Sequence, residues 1–390
     1  MAGHAATELL IVGAGPFGLA MAAHARHLNI GHLMVGRPMG FWRTHMPTGM
    51  YLRSACDWHL DPQGVDTIEA FLRTQALTPR DVEPLSLTRY LEYTHWFQER
   101  REIEPWPVLV ERLDGTDGGG HCFRATLSDG GTIDAANVVL AIGFEYFKNV
   151  PDDLRALLPG SRLQHTCDLV DFTQIGGRQC LIIGGRQSAF EWAALMAEAG
   201  AAAVHVVHRH DLPAFAEADW SWVNALVAGM LDNPAWYREL SPAQKEEVGR
   251  RLWAEGRLKL EPWLASRLRR ESVVLWPNTR ISRCLERADG ALDVTLDGRA
   301  GSDAVVIDDI VFATGYKVQI GAVPLLARGN LLPTLRAEQD LPVLDQYLQS
   351  SIPGLFITSM AAMRDFGPFF AFTVAARLSA QLIGRALRPS

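Results

Sequence analysis

The chain is 390 residues long, 48% hydrophobic, and carries a formal net charge of −7. That length suits two domains or one large one, with ample apolar material for cores. The acidic balance excludes a polyanion such as nucleic acid as an evident partner. Five scattered cysteines, Cys56, Cys122, Cys167, Cys180 and Cys284, form no C-x-x-C pair. They argue against a secreted disulfide framework and for a reducing, cytoplasmic setting without a redox dithiol. No apolar run reaches the ~18 residues of a membrane span, and the chain reads straight into its first strand, leaving no room for a signal peptide.

The run Leu9 to Val12 reads as a buried parallel strand. It leads into Gly13-Ala14-Gly15-Pro16-Phe17-Gly18. In this pattern Gly13 makes the tight turn, Gly15 lets backbone approach a pyrophosphate, and Gly18 permits close helix–strand packing. Residues 19–28 continue as a helix whose N-terminal amides favour an anion. The second strand, about 33–35, should end in a carboxylate for a ribose hydroxyl. Gly36-Arg37 stands there instead, and no Asp or Glu occurs between Glu8 and Asp57, a stretch holding Arg26, Arg37, Arg43 and Arg53. Residues 40–62, rich in Trp, Met and Pro, read as a long structured loop containing the polar cluster Ser54-Ala55-Cys56-Asp57-Trp58-His59. Helices are expected over 67–72 and 87–101. Strands are expected over 106–112, 122–127 and 132–142, with Gly118-Gly119-Gly120 and Asp129-Gly130-Gly131 as turns.

The chain leaves this first unit near residues 151–159. A second strand–turn–helix follows, Leu181-Ile182-Ile183 into Gly184-Gly185-Arg186-Gln187-Ser188-Ala189. Arg186 stands where a third glycine is expected. Its planar fork could clamp a pyrophosphate, or its length could obstruct the nucleotide. The next strand, 204–208, ends in Arg209, a cation suited to an adenosine 2′-phosphate and therefore to NADPH over NADH. Residues 219–270 read as helical, with Trp220, Trp222, Trp236, Trp253 and Trp263. At helical spacing such a stripe is more often core or interface than a ligand wall; the same tryptophans could join two copies of the chain. Strands follow at 273–284, 292–296 and 305–312, the last leading into Ala313-Thr314-Gly315-Tyr316, and an amphipathic helix within 369–387 closes the chain. His4, His24, His27 and His32 have no metal-ligand spacing, and no metal site is expected. Two glycine turns in one chain imply two dinucleotides with electrons moving between them.

Those two turns, Phe312-Ala313-Thr314-Gly315-Tyr316, Pro353-Gly354-Leu355-Phe356-Ile357 and Phe366-Gly367-Pro368 resemble the single-component flavoprotein monooxygenases. Flavin-containing monooxygenases and the ornithine and lysine N-hydroxylases are among them. The resemblance covers most of the chain in order, and is more specific for a two-dinucleotide flavoprotein than for its substrate. It implies an α/β chain with two Rossmann-like domains. The FAD domain would be discontinuous, 1–150 and 308–390, and the NADPH domain, 151–307, would carry a Trp-rich helical insert at about 215–270. It implies that NADPH reduces FAD, that O₂ adds to the reduced flavin as a C4a-(hydro)peroxide, and that this species oxygenates a small molecule. N-hydroxylation or N/S-oxygenation is favoured over Baeyer–Villiger chemistry. Gly13, Gly15, Pro16, Phe17 and Gly18 would cradle FAD, with Gly36 and Arg37 beside its ribose. Phe41, Trp42 and Met46 would sit near the flavin, and Gly367-Pro368 would approach its ring. Gly184, Gly185, Arg186, Gln187, Ser188 and Arg209 would hold NADPH, with Ala313, Thr314 and Gly315 between the two nucleotides.

Three departures stand out: Arg186, Ser359 after the closing strand, and a linker histidine, His165, one residue out of the family's register. For the chemistry, Asp57 could orient the nicotinamide or hold a proton near flavin N5, and His59 could transfer protons near neutrality. Alternatively, Asp57 caps a turn and His59 packs on Trp58. A flavin reductase without oxygen insertion, or a nucleotide sensor disabled by Arg186, would use the same scaffold.

Overall fold

The computed structural model describes residues 3–116 and 122–389; the expected Gly118-Gly119-Gly120 turn lies outside them. The opening strand His4–Val12 runs parallel to His32–Val35 on one side and to Thr132–Leu140 on the other. Leu9, Leu10 and Ile11 are fully buried, which is why the run is continuously apolar instead of alternating. Thr132–Leu140 serves two further neighbours along its outer edge. Antiparallel Phe123–Leu127 pairs with its first half and parallel Leu355–Ile357 with its second. At the opposite edge Trp106 bridges Val35; regular strand pairing resumes only at Val110–Gly115, beyond the expected 106–112. The closing helix Ala375–Leu387 crosses the first helix, Pro16–His27, so closely that a Cβ on Gly384 would lie 2.5 Å from His24.

The second sheet is wholly parallel, in the order Val273–Pro277, Ala203–His208, Gln179–Ile183, Asp309–Phe312, Gln164–His165. The chain is thus α/β with two Rossmann-type units. The sequence-based division grouped residues 308–390 with the first unit, but Asp309–Phe312 is a central strand of the second sheet. Ile310, Val311 and Phe312 are buried on both faces there, so the second unit continues into the Ala313-Thr314-Gly315 turn. Two expected strands are each two. Asn278, at φ 53°, separates Val273–Pro277 from Arg280–Glu286, and Asp308 separates Gly301–Ile307 from Asp309–Phe312. Arg280–Glu286, Leu292–Gly298 and Gly301–Ile307 form an antiparallel sheet.

The helical insert is four helices, Ser221–Gly229, Trp236–Glu239, Pro242–Gly256 and Leu264–Arg267, held partly by the short parallel pair Ala214–Phe215 and Lys259–Leu260. Ser241 and Gln244 form a capping box that starts the longest of them, with Pro242 in its first turn. The insert leaves the second sheet yet packs on the first unit: Trp222, Val223, Val227, Met230 and Tyr237 are buried in that unit's core. Of the five tryptophans Trp222 is buried, Trp220, Trp236 and Trp263 are half-buried, and Trp253 is 49% exposed. Among the described residues no helix is long and apolar enough to cross a membrane.

Candidate nucleotide-binding site

Both glycine turns open on one cavity of about 830 Å³, within the range of ligand sites. In the first turn each glycine has its own reason. Gly13 sits at φ 110°, where a Cβ would lie 2.3 Å from the Ala141 carbonyl oxygen. Gly18 presses the helix onto the turn, since a Cβ there would lie 1.9 Å from the Gly13 oxygen. Gly15 meets nothing within 4 Å; its free face belongs to the cavity. In the second turn Gly184, at φ 143°, would strike the Ala313 oxygen at 2.4 Å, and Gly185 would strike the His208 ring at 2.5 Å. Arg186 caps its helix with an extended backbone (φ −120°, ψ −179°), much as Gly15 does (φ −88°, ψ −169°). An arginine is therefore accommodated without backbone strain.

Of the residues expected at the site, Gly13, Gly15, Pro16, Phe17, Gly36, Arg37, Phe41, Trp42 and Met46 line the first half of the cavity. Gly184, Gly185, Arg186, Ser188, Arg209, Ala313, Thr314 and Gly315 line the second half. Gly18 lies behind its turn. Gln187 turns away, accepting from the Glu261 amide at 3.1 Å. Gly367 and Pro368 do not reach the cavity: Gly367, at φ 96°, is wedged against Phe369 and Tyr237, and Ala371, Phe372 and Thr373 line the wall instead.

Asp57 and His59 also lie outside it. Leu52, Cys56, Trp58, His59 and Leu60 are buried, and their packing draws most of the polar cluster away from the cavity, leaving Ser54 as its lining member. The Asp57 carboxylate accepts from the Asn224 amide at 2.5 Å, and the Trp58 indole donates to Asn224 at 2.7 Å. This triangle ties the insert to the loop. His59 Nε2 lies 2.6 Å from an Arg377 nitrogen. Burial, then the Arg377 charge, lowers the His59 pKa to about 4, so the ring is neutral near pH 7, and it is not part of the cavity lining. The Cys56 thiol is pushed up to about 12 by burial and Glu83.

The charged lining of the cavity is mostly cationic, five arginines against the two carboxylates Glu145 and Asp153. Arg37, Arg186, Arg209, Arg257 and Arg280 line it, and among the described residues none of them pairs with a carboxylate. Unpaired guanidiniums around a glycine turn suit phosphate groups. Arg257 and Arg280 were not anticipated from sequence. Arg280 enters because the Asn278 turn brings it beside His208 and His210, through the Thr279-to-His208 and Asn278-to-His210 backbone bonds of 3.0 Å each. Phe41, Phe144 and Tyr316 form an aromatic wall, with centroids 5.0 to 6.2 Å apart. The linker histidine, His165, lies behind it: its Nε2 donates to the Gly315 carbonyl at 3.1 Å, while burial holds its pKa at about 4. Ser359 lines the cavity at φ 62°, a left-handed conformation that costs a non-glycine residue on the order of 1–2 kcal/mol.

These features fit two dinucleotides, one at each turn. The open face of Gly15 leaves room for one diphosphate, and the unpaired arginines beside Gly184 supply charge for the other. The chain is similar along its length to two solved structures. It is 15% identical to the ornithine N-hydroxylase of Kutzneria sp. 744, with TM-score 0.80 over 99% of this chain and 100% of that one. It is 20% identical to the L-lysine 6-monooxygenase of Pseudomonas syringae, with TM-score 0.74 over 98% and 99%. At those identities the likeness is one of fold. A ferredoxin–NADP reductase of Ralstonia pickettii is 28% identical over 234 residues, 58% of this chain and 57% of that protein, so this chain matches little more than half the length of that relative. Residues 10–250 match the model of one family, and with the two nucleotide turns inside that span, the chain belongs to the pyridine nucleotide-disulphide oxidoreductases.

Proposed function

We propose that the protein is an FAD- and NADPH-dependent monooxygenase acting on a small molecule, most directly by N-hydroxylation or N/S-oxygenation. The observation that carries this reading is the single cavity onto which both glycine turns open. Two nucleotides bound there would bring their reactive rings together in one enclosure. In this reading residues 1–150 and those after the Gly315 turn hold FAD, and the intervening unit holds NADPH.

The flavin, when bound, supplies hydride acceptance and oxygen activation. The chain's own residues supply position and enclosure. Gly13 and Gly15 would hold the FAD diphosphate against the N-terminus of Pro16–His27, and Arg37 would meet its ribose. Arg209 and Arg280 flank the end of Ala203–His208, where an adenosine 2′-phosphate would lie. Phe41, Phe144 and Tyr316 would keep water from the space between the nucleotides. Met46, Met50 and Phe372 give the flavin end an apolar lining, which favours an uncharged or apolar amine or sulfide as substrate. Asp57 and His59 hold the insert and loop in place. The two similar enzymes act, by their names, on ornithine and lysine, so amines are the first substrates to try.

The test loads the purified protein with FAD, supplies NADPH and ¹⁸O₂, and screens amines and sulfides by mass spectrometry. A product that gains one labelled oxygen atom, with matched NADPH consumption, supports the proposal. NADPH oxidation with no labelled product from any candidate, together with reduction of an added quinone or iron–sulfur protein, points to the second reading, a flavin reductase. The likeness to the ferredoxin–NADP reductase favours that reading.

A further inference from the structure

The insert's longest helix, Pro242–Gly256, ends at the rim of the cavity. Its last carbonyls are capped by arginines from both units. Arg53 donates to the Gly256 oxygen at 2.6 Å, and Arg186 donates to the Arg257 oxygen at 2.7 Å. Arg53 also pairs with Glu261 at 2.7 Å. Arg186 lies flat on the insert, its guanidinium carbon 4.6 Å from the centroid of Trp253. These bonds account for Arg53 and fix the course of Arg186. They leave the remaining donors of Arg186, and the whole guanidinium of Arg257, without a protein acceptor among the described residues. Two carboxylates of the insert are committed elsewhere: Glu261 to Arg53, and Glu255 to Lys259 and the Asp219 amide. Burial, and then the neighbouring Arg257 charge, pull Arg186 below the ordinary guanidinium value. Like charges held side by side facing a cavity, neither in an ion pair among the described residues, are the arrangement an anion completes.

We propose that Arg257 and Arg186 together form a clamp for the pyrophosphate of the nicotinamide dinucleotide, with the helical insert supplying the second arm. This rests on the reading of the second turn as an NADPH site. Arg186 stands at the position where Gly15 stands in the first turn, so its Cα is next to where a diphosphate approaches. Its side chain runs along Trp253, which also lines the cavity, so the guanidinium stands beside that approach and not across it. Two guanidiniums match the two negative charges of a pyrophosphate and can bind its oxygens in the bidentate manner open to arginine. The insert is bolted to the first unit through Trp222, Val223 and Met230 and through Asn224, which bonds Asp57 and Trp58. The clamp therefore fastens the nicotinamide nucleotide to the flavin-binding unit as well as to its own.

The experiment is calorimetric titration of the FAD-loaded protein with NADP⁺ and, separately, with adenosine 2′-monophosphate, which has the 2′-phosphate and no pyrophosphate. For Arg257→Gln the expected result is NADP⁺ binding weakened about tenfold or more, from the loss of a charge-assisted pair, with adenosine 2′-monophosphate binding and FAD content unchanged. Arg186→Gly should weaken NADP⁺ as well, whereas an obstructing arginine would give tighter binding on its removal. Arg257→Lys, which keeps the charge but loses the fork, should fall between wild type and Arg257→Gln. The clamp is overturned if Arg257→Gln binds NADP⁺ within about twofold of a binding wild type, if it loses both ligands equally, or if Arg186→Gly binds more tightly. A wild-type protein that binds no NADP⁺ overturns the nucleotide reading itself.

Discussion

The two glycine turns have the same backbone course and different solutions. Gly13 and Gly184 both bend at positive φ against a carbonyl of the neighbouring strand, that of Ala141 in one case and of Ala313 in the other. Gly15 and Arg186 both cap a twelve-residue helix in extended conformation. At the first turn the helix presses so close that Gly18 has no room for a Cβ, whereas Ala189 fills the corresponding place in the second. The first turn leaves a bare backbone for its ligand. The second fills the equivalent place with a cation and relies on a neighbouring helix to steer that side chain aside. A glycine pattern thus records two separate demands, backbone conformation and ligand space, and only the conformational one is the same at both turns.

The sharpest way to break this comparison is at the bends. Gly13→Ala should cost at least about 2 kcal/mol in denaturant unfolding and abolish flavin retention, because strain and the Ala141 clash act together. Gly15→Arg separates the two demands. Its thermal unfolding midpoint should stay close to wild type, since no described atom lies within 4 Å of a Cβ there, while FAD affinity should fall about a hundredfold or more through loss of the space for the diphosphate. Next in size, Arg209→Ala and Arg280→Ala should each reduce the preference for NADPH over NADH by about tenfold, measured as the ratio of kcat/KM values.

The helices behind the turns differ too. Where the first carries Ala20, the second carries Glu191, also buried, which accepts from the Tyr51 amide at 2.7 Å. Burial raises its pKa to about 8. Because the folded value lies above the unfolded one, this carboxyl favours the folded state most at acid pH, and that contribution is lost as pH rises from about 4.5 to 8. Glu191→Gln should therefore gain stability over wild type across that window, by at most ~1.4 kcal/mol per pH unit. His24, His59, His165 and His208 act in the opposite sense. Each is held at about 4 by burial, so their contribution is complete above about 6.5 and is lost as pH falls toward 4. The smallest effect belongs to Asp57→Asn, which keeps a partner for Asn224 and should change the rate of flavin reduction by less than about twofold.

Both turns and their flanking strands were legible because strand, turn and helix are contiguous in sequence and each leaves a local mark, and Arg209 reaches the cavity from the end of one of those strands. The sheet that Asp309–Phe312 joins was not, since a short apolar strand looks the same in either sheet. Arg257 was invisible for a related reason. Its proposed function depends on a helix from the insert ending beside the second turn, and periodicity within that helix carries no trace of where it ends in space. The places of Asp57 and His59 could not be read from chemical type alone, because tertiary packing of Leu52, Cys56, Trp58 and Leu60 sets the course of that loop, leaving Asp57 exposed and His59 buried. The stripe of tryptophans divided: Trp222 is core, while Trp253 reached the cavity through Arg186.

The central claim is that both nucleotides share one cavity in hydride-transfer contact. The measurement that tests it most directly is anaerobic rapid mixing of the FAD-loaded protein with NADPH, and in parallel with NADH, following the oxidised-flavin absorbance. The account requires full bleaching by NADPH in a single turnover, faster than with NADH. Persistence of the oxidised band with NADPH demonstrably bound would contradict it, because the two turns would then hold their nucleotides without bringing them together.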